Sequence, residues 1–280
     1  MINELPSWIK TAAYDKKEYL NTKELIEKNE LNTVCLEANC PNRYECFSKK
    51  TATFMILGDT CTRDCLYCGV KKGTPRDVDT QEPQRIAEAV NKLGLNYAVI
   101  TCVTRDDLED AGAGQFVDTV NNIKNKNPGC RTELLISDLN GNWNALKKIL
   151  DSEPDVVNHN IEVTKELFPK LRPKGDYELS LQLLKKAKEL KQEIITKSGF
   201  MVGFGEDKTQ IHNTIKDLQK AGCDIITIGQ YLQPTPDSFE VKKYYTPKEF
   251  EEFKEFGEDL GLKVVAGPLV RSSYKASELI

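Results

Sequence analysis

A wholly or partly closed barrel of parallel strands is the fold class that this α/β sequence predicts. Short apolar, often β-branched runs alternate with longer stretches of helical periodicity, the links between runs are long enough to contain helices, and polar or glycine residues recur where the runs end. The first two observations imply parallel neighbouring strands covered by helices. The third favours a barrel over an open doubly wound sheet, because in a barrel the C-terminal strand ends converge on one mouth where active-site groups collect.

The elements follow in order. Residues 1–50 fit the repeat poorly: weak helical pattern is interrupted by the turn-like Asn39-Cys40-Pro41-Asn42, so this stretch is expected as an extension packed across the barrel. Strand-like runs span 51–57, 97–103, 131–136, 155–160, 193–201, 224–231 and 263–266. Helical periodicity fills 82–93, 115–125, 143–150, 179–191, 208–220 and 247–260. The polar strand ends are Gly58-Asp59, Thr104-Arg105-Asp106, Ser137-Asp138, His159-Asn160, Lys197-Ser198-Gly199 and Gly229-Gln230. Three segments are expected: an extension over 1–50, a barrel over 51–267 and a closing segment over 268–280.

Composition narrows the function. The 280 residues carry 39 basic and 43 acidic side chains with no long basic run, which disfavours a nucleic-acid partner. The N-terminal stretch bears Glu4 and Lys10 and has no apolar run of signal-peptide length, and no segment approaches a membrane span, so a cytoplasmic protein with no membrane partner is expected. Nine cysteines, an odd number, argue against a disulfide scaffold in a reducing compartment.

Six of those cysteines form two tight groups: Cys35, Cys40 and Cys46, then Cys61, Cys65 and Cys68. Three thiolates per group leave one iron of a 4Fe-4S cube without a cysteine, and such a position is open to substrate or to a weak oxygen ligand. A structural zinc site would want a fourth ligand, and the only histidines are His159 and His212. Two iron-sulfur sites are therefore expected. Cys102, Cys130 and Cys223 stand alone and read as buried packing residues. His159 reads as a hydrogen-bonded structural residue and not as a ligand, and His212 as incidental.

The CxxxCxxC loop formed by Cys61, Cys65 and Cys68 directly after the first strand resembles the signature of radical S-adenosylmethionine (SAM) enzymes. The resemblance implies a partial (β/α)6-type barrel and an open iron that binds the amino and carboxylate groups of SAM. It also implies that Tyr67 packs near the adenine, and that reductive cleavage yields a 5'-deoxyadenosyl radical able to abstract hydrogen from an unactivated carbon. Adding the upstream CxxxxCxxxxxC and the downstream Arg271-Ser272-Ser273-Tyr274, the chain resembles the lipoyl synthase family. That likeness runs through Arg105-Asp106-Asp107-Leu108, His159-Asn160, Lys197-Ser198-Gly199, Gly203, Gly205-Glu206 and 229–234, covering 34–276.

The second resemblance implies an auxiliary cube on Cys35, Cys40 and Cys46 whose fourth ligand is a serine oxygen from Ser272, with Ser273 the alternative. It places Lys197, Ser198, Gly199 and Glu206, with Asp107 and its neighbours, around SAM. The implied reaction inserts two sulfur atoms at C6 and C8 of an octanoyl chain on a lysine of a lipoyl carrier domain, consuming two SAM molecules per lipoyl group. The implied partners are an octanoylated carrier, glycine cleavage H protein or the E2 subunit of a 2-oxoacid dehydrogenase, and a low-potential donor such as ferredoxin or flavodoxin. The alternative is another radical sulfur-inserting enzyme such as biotin synthase, which lacks the pairing of the two terminal motifs. The sequence departs from the family pattern at Glu162-Val163-Thr164 and at 236–239, the latter in a stretch that bears on carrier recognition.

Overall fold

The computed structural model describes residues 5–280; residues 1–4, including Glu4 and the start of the expected extension, lie outside the described residues. The strands in chain order are β1 (Asn32–Thr33), β2 (Thr53–Ile56), β3 (Thr60–Cys61), β4 (Lys71–Lys72) and β5 (Tyr97–Cys102). They continue as β6 (Arg131–Leu135), β7 (Val156–Asn158), β8 (Ile195–Val202), β9 (Ile225–Gln230) and β10 (Lys263–Gly267). The main sheet has the order β1-β2-β5-β6-β7-β8-β9-β10, and every pairing in it is parallel except β1 with β2.

Six strand–helix units followed by β10 therefore build the partial barrel. Its helices are α4 (Glu82–Leu93), α5 (Ala113–Lys126), α6 (Trp143–Asp151), α7 (Phe168–Leu171), α8 (Tyr177–Leu190), α9 (Lys208–Lys220) and α10 (Pro247–Glu258). Local chemistry sets their ends. Asp207 with Gln210, and Thr246 with Glu249, form reciprocal capping boxes at α9 and α10, and Gly94 closes α4 in the left-handed conformation. The short α7 has no counterpart in the sequence expectation; Pro169 in its first turn starts it but four residues are too few to show a period.

The buried faces of β2, β5 and β6 meet α4, α5 and α6 in one core that includes Phe54, Ile56, Ile86, Ile100, Phe116 and Leu134, while Phe200, Ile226, Ile228, Phe250 and Phe253 anchor a second core. Each such side chain contributes about 1.5–3 kcal/mol on burial, so the helix-facing side of the sheet has ample stabilisation and the inner side is left for polar groups.

The N-terminal stretch contains α1 (Lys16–Lys28), α2 (Val34–Glu37) and α3 (Arg43–Ser48). It joins the sheet through β1, whose Asn32 and Thr33 stand opposite Met55 and Phe54, and Thr22 Oγ1 donates to the Phe47 carbonyl at 2.7 Å. At the other end the chain leaves β10 and turns back over the open side. Asn42 Nδ2 donates to the Leu269 carbonyl at 2.7 Å, and Ala276 and Ile280 pack on Tyr97 and Val99. Among the described residues no helix is long and apolar enough to cross a membrane.

Candidate cluster and radical site

The loop that follows β2 leaves the sheet, forms β3, carries the cysteines and returns as β4. Pairing of Thr60 with Lys71 and of Cys61 with Lys72 pinches its neck, so three thiols are presented from one short ring of chain. A buried arginine fixes this ring to the barrel. Arg63 Nε donates to Asp106 Oδ2 at 2.8 Å, and its Nη2 reaches Asp106 Oδ1 at 2.9 Å, Asp138 Oδ1 at 2.7 Å and Asn140 Oδ1 at 2.7 Å. The carboxylates come from the loops after β5 and β6, so one guanidinium ties the cysteine loop to two strand ends. Although burial works to raise it, the guanidinium beside Asp138 holds that carboxyl down at about 2.

Of the first three cysteines, Cys35 lies in α2, Cys40 in the α2–α3 connection and Cys46 in α3. All six thiols are free, and all six line a single cavity of about 470 Å³ at the C-terminal strand ends, within the size range of small-molecule sites. Ser272 and Ser273 line the same cavity, brought in by the returning C-terminal segment. Two glycines permit that approach. A β-carbon at Gly229 would sit 2.1 Å from the Val270 carbonyl oxygen, and one at Gly199 would sit 2.4 Å from Thr227 Oγ1 and 3.4 Å from the Ser272 β-carbon. Ser272 Oγ accepts from Asn160 Nδ2 at 3.1 Å.

The donor set fits two iron-sulfur cubes. Soft thiolates in threes, with a hydroxyl oxygen near one group, match the ligand chemistry of such clusters. Among the described residues no three His, Cys, Asp or Glu side chains converge on one point as a single metal ion requires; a cube makes a different demand, one thiolate at each of three separate irons. Burial pushes the Cys46 and Cys68 thiols up to about 12 and raises those of Cys35 and Cys65. Metal must therefore displace protons from these sulfurs to bind.

Around the second loop the wall is polar. Tyr67 lies in the cavity between Cys65 and Cys68, with Phe204 edge-on at 6.3 Å between ring centres. Glu162 and Arg172 also line it. Burial raises the Glu162 carboxyl, against the opposing pull of Arg172, Asn160 and Arg271. His159 Nδ1 hydrogen-bonds the Ile136 carbonyl at 2.9 Å, which fixes the proton there and leaves buried Nε2 without a partner; Asn160 Oδ1 is likewise unpaired. These two acceptors, with Glu162 and with Arg172, whose Nη1 donates to the Asn160 carbonyl at 3.1 Å, can orient a polar ligand beside the second cysteine loop.

Not every residue expected near SAM reaches the cavity. Gly199 does, but Lys197, one layer deeper on the same strand face, donates from Nζ to both Glu133 oxygens at 2.9 and 3.1 Å, with Tyr97 and Asn158 bound to the same carboxylate. Ser198 falls on the opposite face of β8 by strand alternation and is fully buried. Glu206 caps the Gly203 and Phe204 amides at 2.6 and 2.9 Å, holding Phe204 stacked on Tyr231 at 4.1 Å. Asp107 is engaged by Arg105 Nη2 at 2.8 Å outside the cavity.

Cys102 packs against the first core as expected and also lines the cavity at the end of β5, where the strand gives way to the mouth; Cys130 and Cys223 are buried as expected. Arg63 and Arg172 were not visible as site residues in the sequence. Arg63 occupies a spacer position of the cysteine motif, and Arg172 follows α7, outside any repeat.

The radical SAM superfamily model matches residues 55–231. A lipoyl synthase from Caldicellulosiruptor saccharolyticus is 49% identical over 279 residues, covering 99% of this chain and 98% of that protein. Another lipoyl synthase, from Oceanobacillus iheyensis, is 50% identical over 277 residues, covering 98% and 88%. Among solved structures, the [FeFe]-hydrogenase maturase HydG aligns with a TM-score of 0.60 at 14% identity, over 93% of this chain and 66% of its own, and methylornithine synthase (PylB) with 0.57 at 13%, over 90% and 78%. At such identities those two speak for the fold alone. The near full-length identity to curated relatives, together with six thiols and two serines on one barrel mouth, places the chain in the lipoyl synthase family of the radical SAM superfamily.

Proposed function

We propose that this protein inserts two sulfur atoms at C6 and C8 of an octanoyl chain carried on a lysine of a lipoyl carrier domain. The observation that carries this reading is the shared cavity. A carbon that must lose hydrogen to one centre and gain sulfur from another needs both within reach of one binding pose, and here both thiol groups line one space.

Cys61, Cys65 and Cys68 would hold the first 4Fe-4S cluster, leaving one iron for SAM. Cys35, Cys40 and Cys46, with Ser272, hold the second, which serves as the sulfur substrate. When bound, the first cluster and SAM supply the electron and the 5'-deoxyadenosyl radical that opens each C–H bond. The chain's part is positional. Arg63 locks the first loop, Tyr67, backed by Phe204, offers an aromatic face for the adenine, and Arg172 supplies a positive charge for a carboxylate. Ser272 is a harder and weaker donor to iron than a thiolate, which marks the side on which the second cluster opens.

The apolar part of the wall, Met55, Val103, Leu135 and Met201 among others, suits an alkyl chain. An amide-anchored chain gains positioning from its carrier, so octanoyl-lysine in a carrier domain or short peptide is the substrate and free octanoate is poor. The carriers proposed are glycine cleavage H protein or a 2-oxoacid dehydrogenase E2, the reductant a ferredoxin or flavodoxin, and the compartment the cytoplasm, in keeping with nine free cysteines. The test is anaerobic incubation of reconstituted protein with reductant, SAM and an octanoyl-lysyl peptide, followed by mass analysis. Gain of two sulfurs is expected; an unchanged peptide beside sulfur insertion into a biotin precursor would reassign the activity.

A further inference from the structure

The cavity at the barrel mouth is not alone in reaching the first cysteine group. A second cavity of about 150 Å³ opens between the N-terminal stretch and the C-terminal segment. Cys35, Cys46, Thr53, Ser273 and Tyr274 line both cavities and so form the wall between them. None of Cys61, Cys65 and Cys68 lines the second cavity. Its rim is solvent-exposed at Lys49, Thr51, Ser277 and Glu278. Cys35 and Cys46 are thus approached from two sides, one facing the radical chemistry and one facing bulk water, while Cys40 lines the mouth cavity alone.

We propose that the outer cavity is the port through which iron and sulfide reach Cys35, Cys40 and Cys46, so that the auxiliary site is emptied from the octanoyl side and refilled from the solvent side. The proposal rests on the reading that this site donates the sulfur. A chain that gives up bound sulfide must be reloaded before a second product forms, and a path through the mouth would cross the space held by SAM and the acyl chain. The outer path avoids it.

Its lining has suitable chemistry. Glu45 and Glu278 present carboxylates, oxygen donors that bind a ferrous ion more weakly than thiolates do and so pass it inward without trapping it. Lys49 Nζ donates to Glu45 Oε1 at 2.5 Å, which orients that carboxylate at the rim. The dividing wall is also linked to the serine ligand: Tyr274 OH donates to Glu45 Oε2 at 3.0 Å only two residues after Ser272. Beyond it Lys275 takes a left-handed backbone at φ 52°, and Ala276 with Ile280 anchors the segment on Tyr97 and Val99. Release of Ser272 and widening of the port can therefore occur in one short segment while its end stays docked.

The experiment isolates loading from turnover. In a chain with Cys61, Cys65 and Cys68 all replaced by alanine, only the auxiliary site takes iron, and its filling from equal amounts of ferrous and ferric iron with sulfide, which together supply the two ferric and two ferrous equivalents of the cube, is followed by visible absorption and iron content. Adding Ser277→Trp, which places a large ring at the rim, should slow filling severalfold with the final iron content unchanged; Glu278→Lys, which reverses rim charge without adding bulk, should slow it in a salt-dependent way. Filling of both variants at the parent rate overturns the port. In the otherwise unmodified enzyme, loaded to completion beforehand, Ser277→Trp should give a normal first turnover. Failure of the unmodified, fully loaded enzyme to donate its own sulfur would instead overturn the underlying reading, and the loading rates remain a separate readout.

Discussion

Ser272 is held at the cavity by a single neutral hydrogen bond from Asn160, leaving its oxygen free to accept a further bond. Substitution here separates binding from chemistry. Ser272→Ala should still load the auxiliary site through three thiolates and still form 5'-deoxyadenosine, while sulfur insertion falls sharply. Ser272→Cys should hold iron more tightly against a chelator and also lower product, because a softer ligand resists opening; faster turnover in that variant would contradict the role given to the serine. His159 makes a different, pH-linked prediction. Burial, with Arg172 assisting, lowers its imidazole to about 4, so the folded state keeps it neutral where the unfolded chain binds a proton. Its contribution is complete above the ordinary histidine value of about 6.5 and is lost as pH falls from there towards 4, amounting to about 2 kcal/mol by pH 5. Urea unfolding at pH 7 and pH 5 should show that loss in the parent and a smaller one in His159→Gln.

At the scale of elements, the glycines of β8 and β9 decide whether the C-terminal segment can reach the mouth. Gly229→Ala forces the Val270 carbonyl away and withdraws Ser272, so 5'-deoxyadenosine formation should persist while sulfur insertion drops; equal loss of both would show that the effect is global. The Arg63 clamp is tested by stability. Arg63→Gln strands Asp138, 1% exposed, and should cost about 3–5 kcal/mol, whereas the Arg63→Gln, Asp138→Asn double variant should recover part of it in a denaturation series. The barrel itself was legible in the sequence because strands and helices repeat with distinct periods, and the cysteine groups because their spacing is local. The Arg63 clamp was not, since its partner Asp138 lies 75 positions away, and a spacer residue in a motif carries no period. Lys197-Ser198-Gly199 reads as one polar strand end, yet strand alternation sends Ser198 to the far face, and the depth of Lys197 depends on the Glu133 it meets across the sheet. Cys102 shows the converse: the apolar run identified its strand but not the point where the strand ends and the cavity begins.

For the molecule as a whole, the partial barrel leaves its inner wall open along one side, and the two terminal segments close that side with the residues proposed to bind the auxiliary cluster. The chain thus brings Cys35, Cys40, Cys46 and Ser272 from its two ends to a mouth whose own loop carries Cys61, Cys65 and Cys68. This division has a direct consequence. If the terminal segments deliver sulfur and the barrel loop delivers radicals, the two activities must separate under mutation and the product sulfur must originate within the protein. Replacing Cys35, Cys40 and Cys46 by alanine should leave reductive SAM cleavage and abolish sulfur insertion, while replacing Cys61, Cys65 and Cys68 should abolish both. With clusters reconstituted in heavy sulfide and free sulfide removed, one turnover should put the label on both product sulfurs and consume two SAM molecules for each lipoyl group formed. If the two insertions are stepwise, a singly labelled monothiol should rise and fall before the final product accumulates. Unlabelled product under these conditions would show that Cys35, Cys40 and Cys46 hold a cluster for some purpose other than donation, and would leave the shared cavity without the chemistry proposed for it.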